Sequence, residues 1–403
     1  MRTHISLYAT LAGLTAGLGT AANGLQFDHR PQSSLLRSST QPPPVPAKAA
    51  PPVATPADEP PTAALGASLE GYEYPFPVKM HTVMIQGKPF TMAYMDVRPK
   101  EPGDGGGAIK PTGRTVVLLH GKNFFGAYWE QTARDLAAQG HRVVIPDQIG
   151  FGKSAKPDDI QYSFHMLAEN TASLLNELGV ARVDIVGHSM GGMLAARFAL
   201  AFPERTASLT LVNPIGLEDY RPLVPYQGVD KWYERESKQT YASMVKYQRE
   251  NYYNGEWNEA RAKWVRPLAA VTLGPDYPKV ARVNALTYDM IYTQPVCYEL
   301  KQIAAPTLLI IGQRDRTAIG KDLATPQAAE AMGDFAELGR RAAATIPHAQ
   351  LAALEGVGHV PMVESYERFI GALEKFINEQ PELPPPLTAP PGKLPAEVPP
   401  SEK

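Results

Sequence analysis

Short runs of consecutive apolar residues alternate with stretches whose apolar positions recur at helical spacing. The runs are Val116-Val117-Leu118-Leu119, Val143-Val144-Ile145, Val183-Asp184-Ile185-Val186, Leu209-Thr210-Leu211-Val212 and Leu308-Leu309-Ile310-Ile311, with a shorter one at Leu351 to Leu354. Helical spacing is seen at Leu167 to Leu178, Met193 to Phe202 and Ser365 to Asn378. Near-continuous apolar strands alternating with helices predict an α/β fold, a mostly parallel central sheet covered by helices on both faces. Its crossovers are expected to be right-handed. Ahead of this region Met80 to Met95 alternates around Gln86-Gly87-Lys88, which reads as a hairpin, and a Gly-rich loop follows at Gly103 to Gly107.

Proline marks where this pattern stops. Gln41 to Thr62 and Gln380 to Lys403 each hold 9 of the 39 prolines, are rich in alanine and show no periodicity. Such segments cannot bury a core, so the folded part is expected to run from about Leu65 to Glu379. At the amino end Met1-Arg2-Thr3-His4 precedes a small-residue apolar stretch ending in Thr20-Ala21-Ala22. That pattern predicts a secretory signal peptide over residues 1–22 and a secreted or periplasmic protein, with no membrane span once it is removed. The remaining layout is a linker at 23–66, a core at 67–213 and 301–379, an insertion at 214–300 and a tail at 380–403.

Charge and cysteine content narrow the chemistry. With 39 Lys+Arg against 41 Asp+Glu the formal charge is −2, so no general field favours a polyanion, and no local basic patch points to nucleic acid. The single cysteine, Cys297, excludes an intramolecular disulfide and multi-cysteine metal sites, and reads as a small buried apolar side chain. No H-E-x-x-H or comparable ligand cluster suggests a metal hydrolase, so neither a metal nor another cofactor is expected.

In a parallel sheet, ligands meet the carboxyl ends of the strands, and the residues placed there carry the chemistry. Val183 to Val186 runs into Gly187-His188-Ser189-Met190-Gly191-Gly192 and then a helical pattern. Glycines on both sides let the backbone turn sharply and lift the Ser189 hydroxyl above the sheet. A serine needs a base, and the base needs an orienting carboxylate. Asp315 follows the strand Leu308 to Ile311, and His359 sits in Glu355-Gly356-Val357-Gly358-His359-Val360-Pro361 after the last strand. Ser189, Asp315 and His359 thus occur in the chain order nucleophile, acid, base. Glu218 and Asp219 are the alternative acids. His348, His188 and His120 read as structural, Asp147 as a loop cap, and the Lys122 side chain as solvated. The backbone N–H groups of Met190 and of Lys122 or its neighbour are the candidate oxyanion donors.

Val-Val-Leu-Leu-His120-Gly121, Pro146-Asp147-Gln148-Ile149-Gly150-Phe151-Gly152, Gly187-His188-Ser189-Met190-Gly191-Gly192, the Asp315 turn and Gly358-His359-Val360-Pro361 together resemble the α/β-hydrolase superfamily. The likeness spans about Tyr74 to Asn378. Within that superfamily the chain is similar to the branch holding esterases, proline iminopeptidases, carbon–carbon bond hydrolases and cofactor-free haloperoxidases. Serine at position 189 departs from the relatives that use an aspartate nucleophile, and Lys122-Asn123 departs from the His-Gly-Gly-Gly loop of many lipases. The resemblance implies that residues 214–300 form a cap over the site. From Pro214 to Leu300 this segment carries 11 of the 18 tyrosines and 3 of the 4 tryptophans but no phenylalanine. Those amphipathic rings either line a pocket for a small molecule or stabilise a thin helical layer.

The function expected from these readings is a cofactor-independent serine hydrolase acting on a carboxylic ester or related acyl bond of a small organic substrate. Amide, lactone or carbon–carbon hydrolysis uses the same residues. A receptor-like binding protein with little turnover is the alternative from another class. Nothing in the sequence indicates an oligomeric state.

Overall fold

In the computed structural model the described residues are 56–99 and 109–381. The expected signal segment, most of the linker, the Gly-rich loop and nearly all of the carboxyl tail lie outside them. Eight strands form one sheet: β1 (Val78–Ile85), β2 (Lys88–Val97), β3 (Thr115–Leu119), β4 (Arg142–Pro146), β5 (Val183–His188), β6 (Thr206–Val212), β7 (Thr307–Gly312) and β8 (Ala349–Leu354). Their spatial order is β1-β2-β4-β3-β5-β6-β7-β8. The β1–β2 and β2–β4 pairs are antiparallel and every later pair is parallel. The predicted hairpin turns at Gln86 and Gly87, both with positive φ, as a tight two-residue hairpin turn requires.

Two-sided burial explains the unbroken apolar runs. Val117, Leu119, Ile185, Leu309 and Ile311 join one core cluster, while Val116, Leu118, Val186, Leu308 and Ile310 join the other. Successive residues of a strand point to opposite faces, so a run apolar at every position feeds both layers. Helices α1 (Glu130–Ala138), α2 (Phe164–Glu177) and α3 (Met190–Ala201) follow β3, β4 and β5. Between β6 and β7 lie four helices, α4 (Val229–Glu236), α5 (Tyr241–Asn251), α6 (Glu259–Val271) and α7 (Tyr277–Thr293). The chain closes with α8 (Pro326–Ala331), α9 (Phe335–Thr345), α10 (Pro361–Glu364) and α11 (Tyr366–Asn378). Residues of α2, α3 and α9 pack into the first cluster, and residues of α1 and α11 into the second. No helix among the described residues is long and apolar enough to cross a membrane.

The sheet is tied internally by a buried ion pair. Arg114, at the start of β3, donates through Nε and Nη2 to Asp184 of β5 at 2.8 and 2.5 Å, and the Ser208 hydroxyl of β6 donates to the same carboxylate at 2.6 Å.

The linker expectation needs correction over 56–66. Pro56–Asp58 forms a 3-10 turn, and the Tyr241 hydroxyl and the Trp257 indole N–H both donate to the Ala57 carbonyl. Leu65 N–H donates to the Ala270 carbonyl at 3.2 Å. Composition predicts that this stretch cannot build a core of its own, but it is held by backbone hydrogen bonds to aromatic side chains of the helical insertion.

Candidate active site

Five strand ends converge on one edge. β5 ends at His188 and Ser189 follows in a strained positive-φ conformation, φ 57 and ψ −119, before α3 begins. The serine carbonyl receives the N–H groups of Gly192, Met193 and Ile215, and its own N–H donates to the Val212 carbonyl, which holds that conformation in place. β7 delivers Asp315, β8 delivers His359, β6 delivers Asn213 and β3 delivers the loop from His120 to Phe124.

Ser189, His359 and Asp315 meet. His359 Nε2 lies 3.0 Å from Ser189 Oγ, and His359 Nδ1 lies 2.6 Å from Asp315 Oδ2. A carboxylate can only accept, so Nδ1 carries the ring proton and Nε2 is left to accept from the serine hydroxyl. Asp315 and His359 are fully buried and Ser189 is 5% exposed. Asp315 also receives Asn213 Nδ2 on Oδ2 and Thr317 N–H on Oδ1, each at 2.8 Å, so both carboxylate oxygens are fixed. The alternative acids are engaged elsewhere: Glu218 accepts the Gly333 N–H, and Asp219 pairs with Arg221 and Tyr298.

Distance alone does not define such a site. Between β1 and α2, Ser173, His81 and Glu177 repeat the pattern, with His81 Nε2 3.0 Å from Ser173 Oγ and Nδ1 bonded to Glu177. Ser173 lies inside α2, where the neighbouring backbone N–H groups serve the helix and none is free for an oxyanion. At Ser189, by contrast, neither the Met190 nor the Lys122 N–H donates to any protein acceptor among the described residues. The loop carrying Lys122 approaches closely: a Cβ placed on Gly121 would lie 3.1 Å from the Ser189 Cβ.

A relay absent from the sequence reading fixes this loop. Gly121 N–H donates to the Tyr128 hydroxyl at 3.3 Å, Tyr128 donates to His188 Nδ1 at 3.1 Å, and His188 Nε2 donates to the His359 carbonyl at 2.8 Å. Burial pushes the His188 pKa well down, which keeps the ring neutral and able to accept at Nδ1. His120 and Asp147 have the structural roles expected of them. His120 Nε2 accepts the Gln148 N–H, and Asp147 accepts from Gly126 N–H, Lys153 N–H and the Tyr74 hydroxyl. His348 is exposed. Glu364 accepts the N–H groups on either side of His359, those of Gly358 and Val360, at 3.1 and 3.0 Å. Tyr252, just past α5, lies over the His359 ring at 4.4 Å between centroids, accepts the His359 N–H on its carbonyl and accepts Asn123 Nδ2 on its hydroxyl. Cys297 is half-buried, and burial raises its thiol pKa, which makes it a poor nucleophile.

Between the helical insertion and the loops after β3 and β4 lies a cavity of about 210 Å³. Lys122, Phe124 and Phe151 line it from the core, and Glu236, Gln248 and Tyr288 from the insertion. Ser189 is not part of the lining; the loop after β3 links the two, with Gly121 against the serine and Lys122 to Phe124 in the cavity wall.

The Lys122 side chain corrects the solvated reading: it is 8% exposed, with its ammonium 3.8 Å above the Tyr288 ring. Burial lowers its pKa from 10.5 to about 8, with the charge of Glu236 partly opposing the shift. Below pH 8 the lysine is charged in both folded and unfolded protein, so folding carries the whole cost of burying it. As pH rises from about 8 to 10.5 that cost disappears, because the unfolded chain must then lose its proton too. Lys122→Met is therefore expected to stabilise the protein at pH 7 by about 3 kcal/mol, less whatever the ring contact contributed. Urea denaturation at pH 7 and pH 10 should show the gain shrinking at the higher pH; equal gains at both would contradict the assignment.

A family model described as the alpha/beta hydrolase fold matches residues 114–235. A solved structure described as that of a probable hydrolytic enzyme from Pseudomonas aeruginosa PAO1 is 47% identical, covers 78% of this chain and 98% of its own, and superposes with a TM-score of 0.75. Lipase 1 of Psychrobacter immobilis is 26% identical over 259 residues, 63% of this chain and 74% of the lipase. The 2-hydroxy-6-oxo-6-phenylhexa-2,4-dienoate hydrolase of Comamonas testosteroni is 28% identical over 212 residues, 51% of this chain and 72% of that enzyme.

Proposed function

Since the chain belongs to the α/β-hydrolase family and is a hydrolase, we propose that it cleaves a carboxylic ester or related acyl bond of a small organic molecule through Ser189, without a cofactor. The observation that carries this reading is the continuous contact from Asp315 through His359 to Ser189 beside two unused backbone N–H groups.

In the first half-reaction Ser189 Oγ attacks the substrate carbonyl carbon while His359 Nε2 takes the hydroxyl proton. The carbonyl oxygen becomes an oxyanion and accepts from the N–H groups of Lys122 and Met190. Collapse of this intermediate breaks the bond to the alcohol, which leaves with the proton from His359 and leaves an acyl group on Ser189. In the second half a water gives its proton to His359 and attacks the acyl carbon, releasing the acid and returning the proton to Ser189. Asp315 stays ionised, holds the ring tautomer and stabilises the imidazolium formed in each half. Tyr252 and the His188 relay keep His359 and the oxyanion loop in register.

Purified protein is expected to hydrolyse p-nitrophenyl butanoate with saturation kinetics. A folded protein that turns over neither this ester nor its hexanoate and octanoate homologues would favour the binding-protein reading.

A further inference from the structure

The cavity beside the proposed reaction centre holds charged groups the mechanism does not use. Lys122 and Glu236 are 8% and 7% exposed, and both line it. Among the described residues neither side chain makes a hydrogen bond or an ion pair; the only recorded close contact of the Lys122 ammonium is the face of Tyr288. Gln248, 3% exposed, lines the same cavity with an Oε1 that receives no hydrogen bond. The remaining walls include Leu69, Val265, Leu268 and Val280. The other cation there, Lys156, is already satisfied by the carbonyls of Gly152 and Ser154. Buried charges and amides left without partners cost free energy, and three of them facing one cavity define what an occupant must supply.

From this we propose that the cavity is a subsite for an uncharged, hydroxyl-bearing portion of the substrate, taken up between Lys122, Glu236 and Gln248. The proposal rests on the hydrolase reading above and narrows its substrate class. A hydroxyl accepts from the ammonium and donates to the carboxylate or amide oxygen, so it serves both signs at once. An unsubstituted alkyl chain would leave all three groups unpaired. A carboxylate would satisfy Lys122 but add a second negative charge next to Glu236 in a buried space. Because Gly121 approaches Ser189 while the side chain of the next residue, Lys122, reaches the cavity, the hydroxyl would sit about one lysine side chain away from the reacting carbonyl, with the apolar walls enclosing the carbons between.

The test compares p-nitrophenyl butanoate, hexanoate and octanoate, each with its last carbon as methyl, as hydroxymethyl or as carboxylate. At the best-fitting length the hydroxyl-ended ester is expected to exceed both others in kcat/KM by about tenfold or more. Lys122→Met should bring the hydroxyl-to-methyl ratio close to one. Glu236→Gln should raise the carboxylate-ended ester relative to the hydroxyl-ended one by about tenfold, a charge-specific inversion that a structural role would not produce. Methyl-ended esters preferred at every length, or ratios unmoved in both variants, would overturn the subsite while leaving ester hydrolysis standing. Should no ester turn over, the ester reading fails separately. The subsite is then decided by calorimetry of Ser189→Ala protein with methyl 6-hydroxyhexanoate and methyl hexanoate. Tighter binding of the hydroxy ester upholds it, and equal or weaker binding overturns it.

Discussion

Ser189→Ala is expected to lower kcat for p-nitrophenyl esters by on the order of 10⁴- to 10⁶-fold, with KM little changed. The methyl group left behind removes the nucleophile without disturbing the turn, whose backbone is held by the Gly192, Met193 and Ile215 N–H groups and the Val212 carbonyl rather than by the hydroxyl. His359→Ala should cost about as much, because without a base the serine proton has nowhere to go. Asp315→Asn should cost less, roughly 10⁴-fold, since the histidine and serine remain but the amide can no longer hold the productive tautomer. The double variant Ser189→Ala, Asp315→Asn should be no worse than Ser189→Ala alone, as residues acting as one unit are not additive. Steady-state kinetics of the four proteins would check this order. An Asp315→Asn enzyme at wild-type rate would return Glu218 or Asp219 to consideration.

The second large effect is on folding. A Cβ on Gly191 would lie 2.3 Å from the Leu119 carbonyl oxygen and 2.6 Å from that of His120. On Gly187 it would lie 2.0 Å from the Gly191 carbonyl oxygen. These neighbours are backbone atoms of β3 and α3, which cannot swing aside like the end of a side chain. Gly191→Ala is therefore expected to destabilise by about 3 kcal/mol or more, through forced separation of α3 from the oxyanion loop. A melting temperature lowered by roughly 6 °C or more, or failure to recover folded protein, is the expected result. Gly371→Ala is the control: it sits in α11 with nothing within 4 Å of its added Cβ, and should be neutral or slightly stabilising. Equal behaviour of the two variants would show that the close approach at the turn is not real.

The strand ends were legible in the sequence because each carries a local signal. A run apolar at every position can be buried on both faces, and the glycines around Ser189 and His359 mark where backbone must turn or approach another strand. Ser189, Asp315 and His359 could thus be placed by order along the chain before any distance was known. Asn213, Tyr128 and Tyr252 carry no such signal. Each acts through a partner more than fifty residues away, and only the sheet order that sets β6 beside β7 and β3 beside β5, or the path that returns α5 to the β8 loop, brings the pairs together. Lys122 misleads for a related reason. A lysine in a loop is ordinarily solvated, and it is the insertion, contributing Tyr288 and Glu236 from far along the chain, that encloses it. Residues 56–66 show the converse: their composition forbids a core of their own, but Tyr241 and Trp257 supply the partners.

The central claim, that Ser189 is the nucleophile, is tested most directly by treating the folded protein with a fluorophosphonate and locating the adduct by peptide mass spectrometry. One adduct per chain on the peptide containing Ser189, absent from Ser189→Ala, is the predicted result. An unmodified Ser189 in a folded, ester-hydrolysing protein, or an adduct on another residue, would contradict it.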